Sequence, residues 1–229
     1  MNFSFLNEYG HYFVDGTKVT LLLSVITVIL GAIFGTGMSL LRLSGIWPLR
    51  WLATAYIEFF RGTPIIIQIF LVYYALPQFI PDFHFPPFPF LEEYGGEFTA
   101  AVITLGLNST AYVAEIMRAG IQSVDKGQME AARSLGMKPW MAMRLVVIPQ
   151  AFRTVLPALG NELVVVIKET SIVSVIGLNE LMFNADTVKG SLSLPFEPLI
   201  IAAFIYLVIT LTLSKLVGML ERRLTKSNA

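Results

Sequence analysis

Long apolar blocks dominate the chain. A hydrocarbon core about 30 Å thick requires roughly 20 mostly apolar helical residues to cross it. Five blocks meet or nearly meet that length, at about residues 17–41, 52–76, 98–117, 151–177 and 199–220. The first and last are almost free of polar interruption. Within the first, Gly31-Ala32-Ile33-Phe34-Gly35 has the small-xxx-small spacing that lets another helix come close. The second is interrupted by Glu58, Arg61 and Pro64. Ahead of the first block, Phe5, Tyr9, Tyr12 and Phe13 recur at roughly helical spacing. They predict a short interfacial helix over residues 1–16, the alternative being a merely sticky N-terminus. Residues 77–97, rich in proline and phenylalanine, cannot continue a helix and are expected to form a cap on the outer side.

Composition supports the membrane reading. Hydrophobic residues make up 55% of the 229 and charged residues 14%, against about a quarter in an ordinary soluble domain. Residues 1–18 lack the basic start and compact apolar core of a cleavable signal peptide, so membrane entry is expected to come from the spans themselves. A formal net charge of zero argues against nucleic acid as a partner. No cysteine is present to form disulfides or to ligate metals. His11 and His84 stand in no metal-ligand spacing and read as surface residues, and the methionines as packing filler.

Charge placement orients the spans. With the N-terminus outside, the inner segments hold Arg42, Arg50, Arg118, Lys126, Arg133, Lys138, Arg144, Arg153, Lys215, Arg222, Arg223 and Lys226, twelve of the sixteen basic residues. Lys18 and Lys189 remain outside, and Arg61 and Lys168 fall within spans. Asp82, Glu92, Glu93 and Glu97 share an outer loop that has no Lys or Arg. The bias predicts an all-α membrane protein of five transmembrane helices, N-terminus outside and C-terminus cytoplasmic, forming one domain over residues 1–229.

The inner connection over residues 118–149 is too long for a simple turn. Asp125 is placed to cap a short helix, Gln128 to complete a capping box, Gly136 to take the left-handed C′ position, and Pro139 to bar continuation. The small face of Ala131 and Ala132 would let a docking partner approach tightly.

At this loop the sequence resembles a known family. Glu130-Ala131-Ala132, then Gly136, then Val146-Val147-Ile148-Pro149 are similar to the EAA loop of bacterial ABC importer permeases, with Val146 and Ile148 as conservative departures from the usual ending. Four further stretches resemble the histidine, arginine and glutamine permease branch: residues 58–64, 108–115, 156–162 and 168–177. The resemblance implies a coupling helix, with Asp125, Gly127, Glu130, Ala131, Ala132 and Gly136 engaging a cytoplasmic ATPase. It implies a second permease copy or paralogue, two ATPase subunits, an extracytoplasmic amino-acid-binding protein, and a place in the bacterial inner membrane. No G-x-x-x-x-G-K-[S/T] loop occurs, so ATP and Mg are expected on the partner and no catalysis or cofactor on this chain.

Ionisable residues inside spans are the candidate substrate groups. Glu162 follows Pro157 and Gly160, where the helix is expected to bend or break, and the matching glutamate binds ligand in the resembled branch. The alternative for Glu162 is a buried structural ion pair. Asn108, Ser109, Thr110 and Tyr112 offer groups to a zwitterion or, equally, to a neighbouring helix. Arg61, beside a second expected break at Gly62-Thr63-Pro64, would serve a substrate carboxylate or pair with Glu58 or Glu115. Glu169 lies two turns from Glu162 on one face, whereas Lys168 points elsewhere. The whole predicts an ATP-driven importer of polar amino acids, basic ones among them. Its rivals are an ion-gradient carrier or channel, an ABC permease for another small solute, and an intramembrane enzyme.

Overall fold

A computed structural model describes residues 3–80 and 82–226, with side chains through residue 224. The side chain of Lys226, Pro81 of the outer loop and residues 1–2 of the expected interfacial segment lie outside the described residues. The elements are helical apart from one isolated bridge between Phe88 and Leu91.

Helix α1 runs from Leu6 to Leu43 without interruption, 38 residues in all. The expected separate interfacial helix is therefore corrected: residues 6–16 are the first turns of the spanning helix. Their aromatic side chains have a packing reason to be there. Phe5 and Phe13 are buried against Leu181, Ala185, Val188 and Ala202, with Tyr9 and Tyr12 alongside. Some polar side chains inside α1 bond the helix itself, as Ser24 donates to the Thr20 carbonyl at 2.7 Å, while the buried Thr27 and Ser39 hydroxyls find no partner among the described residues.

Helix α2 (Trp47–Gly62) begins with proline in its first turn and ends at Gly62, because Pro64 cannot continue the hydrogen-bond ladder. The chain re-enters helix as α3 (Ile65–Phe70), passes through a π-turn at Leu71–Ala75 and ends as α4 (Leu76–Phe79). The two arms meet at 107°. The expected break at residues 62–64 is thus a sharp elbow.

A 3-10 turn at Glu92–Tyr94 leads into α5 (Gly95–Gln122), the most enclosed of the long helices. Gly31 and Gly35 are the points where α1 and α5 touch. A Cβ on Gly31 would lie 2.6 Å from Ser109 Oγ, and one on Gly35 would lie 2.8 Å from Val113 Cβ. The small-xxx-small spacing serves the close approach it predicted.

Helix α6 (Lys126–Ser134) is a separate short helix, as the loop sequence predicts. Asp125 accepts from the Gly127 amide at 2.7 Å. At the other end Gly136 has φ +84°, the Met137 amide donates to the Ala132 carbonyl, and the Gly136 amide donates to that of Arg133. This is the full Schellman pairing. The capping box is not formed, because the Gln128 carbonyl oxygen instead accepts from Gln150 at 3.4 Å. Helix α7 (Pro139–Ala142) and a π-turn at Met143–Val147 then lead into α8 (Ile148–Glu169), so much of the expected loop is helical.

Pro157 sits inside α8 without ending it, which corrects the expected break in the fourth span. Gly160 is likewise no hinge: its missing Cβ makes room for Val217. The helical path changes only at Thr170–Ile176, a 3-10 segment closed by Gly177 at φ +87°. Helix α9 (Leu181–Leu192), absent from the sequence reading, packs against α1 and α10 (Glu197–Lys226).

Among the described residues, three helices are long and apolar enough to cross a membrane: α1, the segment ending in α5, and α10. The bent α2–α4 pair makes a fourth if taken as one span. The fourth expected span, now α8, falls short on apolarity because it carries Arg153, Asn161, Glu162, Lys168 and Glu169.

Candidate translocation site

The elbow and the middle of α5 are joined by polar side chains buried in apolar surroundings. Breaking a helix frees backbone carbonyls, which are costly to bury without donors. Gln68 supplies them. Its amide donates to the Phe60 carbonyl at 2.8 Å, the Thr63 carbonyl at 3.1 Å and the Thr63 hydroxyl at 2.9 Å. Its own carbonyl accepts from Asn108 at 2.9 Å, while Asn108 also reaches the Phe60 carbonyl at 3.3 Å. Tyr56 adds a third tie, donating to the Leu107 carbonyl at 2.7 Å. Of the two roles open to Asn108, the structure favours helix-to-helix bonding.

Glu162 lies on the other side of α5. It is 8% exposed, and its Oε1 accepts from the Ser109 hydroxyl at 3.0 Å. Among the described residues it forms no ion pair, so the structural-pair alternative finds no partner. Ser109 is held in place because Gly31 admits it against α1. Thr110 turns away, lining a wholly apolar groove with Leu30, Phe34 and Tyr56.

Tyr112, three residues beyond Ser109, carries the Arg61 guanidinium 5.5 Å from its ring centroid. Both are about one-third exposed. The nearest carboxylate to Arg61 is Glu115, at 3.9 Å. Glu115 is already engaged: it accepts from Arg42 at 2.8 Å and from two nitrogens of Arg118. Glu58 meets Arg42 at 3.5 Å. Arg61 therefore sits in an ion cluster, as the structural alternative expected, yet none of its nitrogens comes within hydrogen-bond distance of Glu115. Glu169 is partly buried two turns along α8 from Glu162, and Lys168 is exposed.

The loop candidates separate into inward and outward groups. Ala132 is buried against the chain itself, which corrects the expectation that it offers a docking face. Glu130 and Ala131 are exposed, as are Gly127 and Gly136, and beyond them stand Leu135 at 81% exposure and Trp140 at 59%.

Three features escaped the sequence reading. Gln68 was hidden as one polar residue in an isoleucine run. Arg42 and Arg118 were read only as topology charges. Glu180 is fully buried, caps α9 by accepting from the Met182 and Phe183 amides at 2.9 and 2.7 Å, and accepts from the Tyr206 hydroxyl at 3.0 Å. An acid just before Leu181-Met182-Phe183 was the available signal for it.

Comparison with known proteins agrees with this architecture. An arginine transport system permease protein, ArtQ, of Bacillus subtilis (strain 168) is 42% identical over 217 residues, covering 95% of this chain and 94% of that one. The probable glutamine ABC transporter permease protein GlnM of the same strain is 40% identical, over 99% of this chain and 100% of that one. A crystal structure of an amino acid ABC transporter with histidines matches with a TM-score of 0.87 at 47% identity, covering 97% of this chain and 100% of that one. The fold also recurs in the MetNI methionine ABC transporter, with a TM-score of 0.77 at 15% identity. Residues 27–226 match the family described as binding-protein-dependent transport system inner membrane component, and the chain belongs to that family of ABC transporter permeases.

Proposed function

We propose that the chain is one transmembrane half of an ATP-driven importer of polar amino acids, with Glu162 receiving the substrate ammonium. The observation that carries this is the state of Glu162: a carboxylate buried in a helix bundle, given one hydroxyl donor and no cation. Removing a carboxylate from water costs several kcal/mol unless an opposite charge compensates. An arriving ammonium supplies that charge, and Ser109 holds the second bond. Tyr112 lies one helical turn along α5 from Ser109 and carries Arg61 of α2 over its ring, where the under-bonded guanidinium suits a carboxylate on the same ligand. Glu169 extends the acidic face and favours basic amino acids over acidic ones. The named relatives support the class, being permeases of arginine and glutamine systems.

Five crossings fit the helix lengths. Helix α8 has 22 residues, about 33 Å at 1.5 Å per residue, enough to cross the core with its polar side covered by protein. Arg42, Arg50, Arg118 and the α6 loop then share the cytoplasmic side. Helix α6 is the coupling element: Asp125 and Gly136 fix its ends, Gly127 opens its first turn, and Glu130, Ala131 and Leu135 face a separate ATPase that holds ATP and Mg. A second permease, the same chain or a paralogue, faces α8, and an extracytoplasmic binding protein delivers solute in a bacterial inner membrane.

The test is uptake into vesicles by the assembled transporter. Glu162→Gln keeps the shape and the Ser109 bond but removes the charge, so the apparent affinity for the amino acid should fall by about tenfold or more. An unchanged affinity would remove Glu162 from the site.

A further inference from the structure

The outer loop at residues 77–97 borders an open cavity of about 340 Å³, lined by Tyr73, Phe83, His84, Phe85, Gly96 and Glu97 among others. The rings are ordered about it. Tyr73 and Phe85 lie nearly parallel, 9° apart with centroids at 6.0 Å, and Phe83 stands edge-on to Phe85 at 5.0 Å. Two glycines hold the loop against the first turn of α5. Gly95 takes φ +69°, and a Cβ on Gly96 would lie 2.5 Å from the Phe85 carbonyl oxygen.

Glu97 is the one carboxylate in this lining. Its Oε1 accepts from the Tyr73 hydroxyl at 3.3 Å, and the side chain is partly buried. It forms no ion pair among the described residues. The sequence offers it none nearby, since no Lys or Arg occurs from residue 62 to residue 117. A half-buried carboxylate beside aromatic faces, without a counter-charge, leaves room for a cation to complete an ion pair. Aromatic faces attract cations as well, through the ring quadrupole.

We propose that this cavity binds a small organic cation, a guanidinium or alkylammonium group, from the outer side. Glu97 supplies the charge, and Tyr73, Phe83 and Phe85 supply the aromatic wall. The proposal rests on the orientation given above, which places residues 77–97 outside, and it is separate from the Glu162 site. A site of this class would hold the side chain of a basic solute at the outer mouth before passage.

The probe is methylguanidinium, which has no α-amino or α-carboxylate group for the inner site. It is titrated into the purified full chain in nanodiscs and followed by calorimetry, with methylurea as a neutral comparator of similar shape. Wild type and Glu162→Gln should bind methylguanidinium and ignore methylurea. Glu97→Gln and Phe85→Leu should each weaken binding by about tenfold. Absence of binding, equal binding of the two probes, or binding untouched by Glu97→Gln would overturn the proposal. So would a Glu97→Gln defect confined to docking of the soluble binding protein. Failure of the transport reading shows elsewhere, in Glu162→Gln uptake, and leaves these titrations unaffected.

Discussion

A glutamine in an isoleucine run does more for this structure than its neighbours suggest. Gln68 satisfies two carbonyls freed by the elbow and binds Asn108 forty positions along the chain. Gln68→Leu matches its size roughly but takes the donor from the Thr63 carbonyl and leaves the Asn108 amide and the Phe60 carbonyl only their long 3.3 Å bond to each other in an apolar setting. Each buried group left without a partner costs about 1–3 kcal/mol, so the net loss should be about 2–4 kcal/mol. Thermal unfolding in detergent measures it, and Asn108→Leu on top of Gln68→Leu should cost less than the sum of the two singles, because the pair shares one bond. Full additivity would mean the Gln68–Asn108 contact contributes nothing. Such contacts were not legible in the sequence. Glu162 was, because a charge inside an apolar block stands out alone. An uncharged amide shows its importance only when the fold supplies its partner. The same limit applies to Asn108 and Thr110, adjacent but for one residue: the rotation of α5 sends one to the elbow and the other to an apolar groove.

Elements were legible where the local chain determines them. The ends of α6 depend on Asp125 and Gly136, and both act as their residue types require. The elbow follows from Pro64, which lacks the amide needed to continue α2 and serves as the N-cap of α3. The proline in α8 misled because a helix packed along its length tolerates the lost hydrogen bond, and Gly160 beside it answers to Val217 on α10. Helix α9 was missed because its twelve residues are polar enough to pass for a loop, and its stability comes from contacts to α1 and α10. For the α6 unit the exposed tip sets the prediction. Leu135 stands almost entirely in solvent, with no described residue covering it. Leu135→Asp should leave the unfolding temperature of the isolated permease within a degree or two, since surface changes shift stability by about 0.5 kcal/mol or less. In the assembled transporter it should lower amino-acid-stimulated ATPase activity several-fold, as should Glu130→Lys. Undiminished coupling in both variants would take α6 out of the role.

Over the whole molecule the decisive quantity is the distribution of charge between the two ends of the bundle. Apolar length alone yields three crossings, or four with the bent pair, and leaves α8 undecided because its polar residues lower its apolar score. Of those residues Glu162 is buried and Glu169 half-buried, so the proposed substrate group sits on the helix that composition recognises least. Lys and Arg placement adds a constraint that length lacks: the acidic loop at residues 77–97 and the basic α6 loop belong on opposite sides only if the number of crossings between them is odd. In the proposed orientation α5 is that crossing, and α8 with α10 return the chain to the side of α6. The chain has no cysteine, so single cysteines can be introduced into it without altering any native thiol. In intact cells a membrane-impermeant maleimide should label cysteines at Glu93 and Lys189 and spare those at Lys126 and Arg222. Permeabilised cells should reverse the protection of the last two. Labelling of Lys189→Cys and Arg222→Cys together from outside would mean that α10 does not cross, and a common accessibility of Lys126→Cys and Lys189→Cys would remove α8 as a span. With both on opposite sides, the buried carboxylate of Glu162 lies within the membrane, where the proposed function has its counter-charge arrive with the transported molecule.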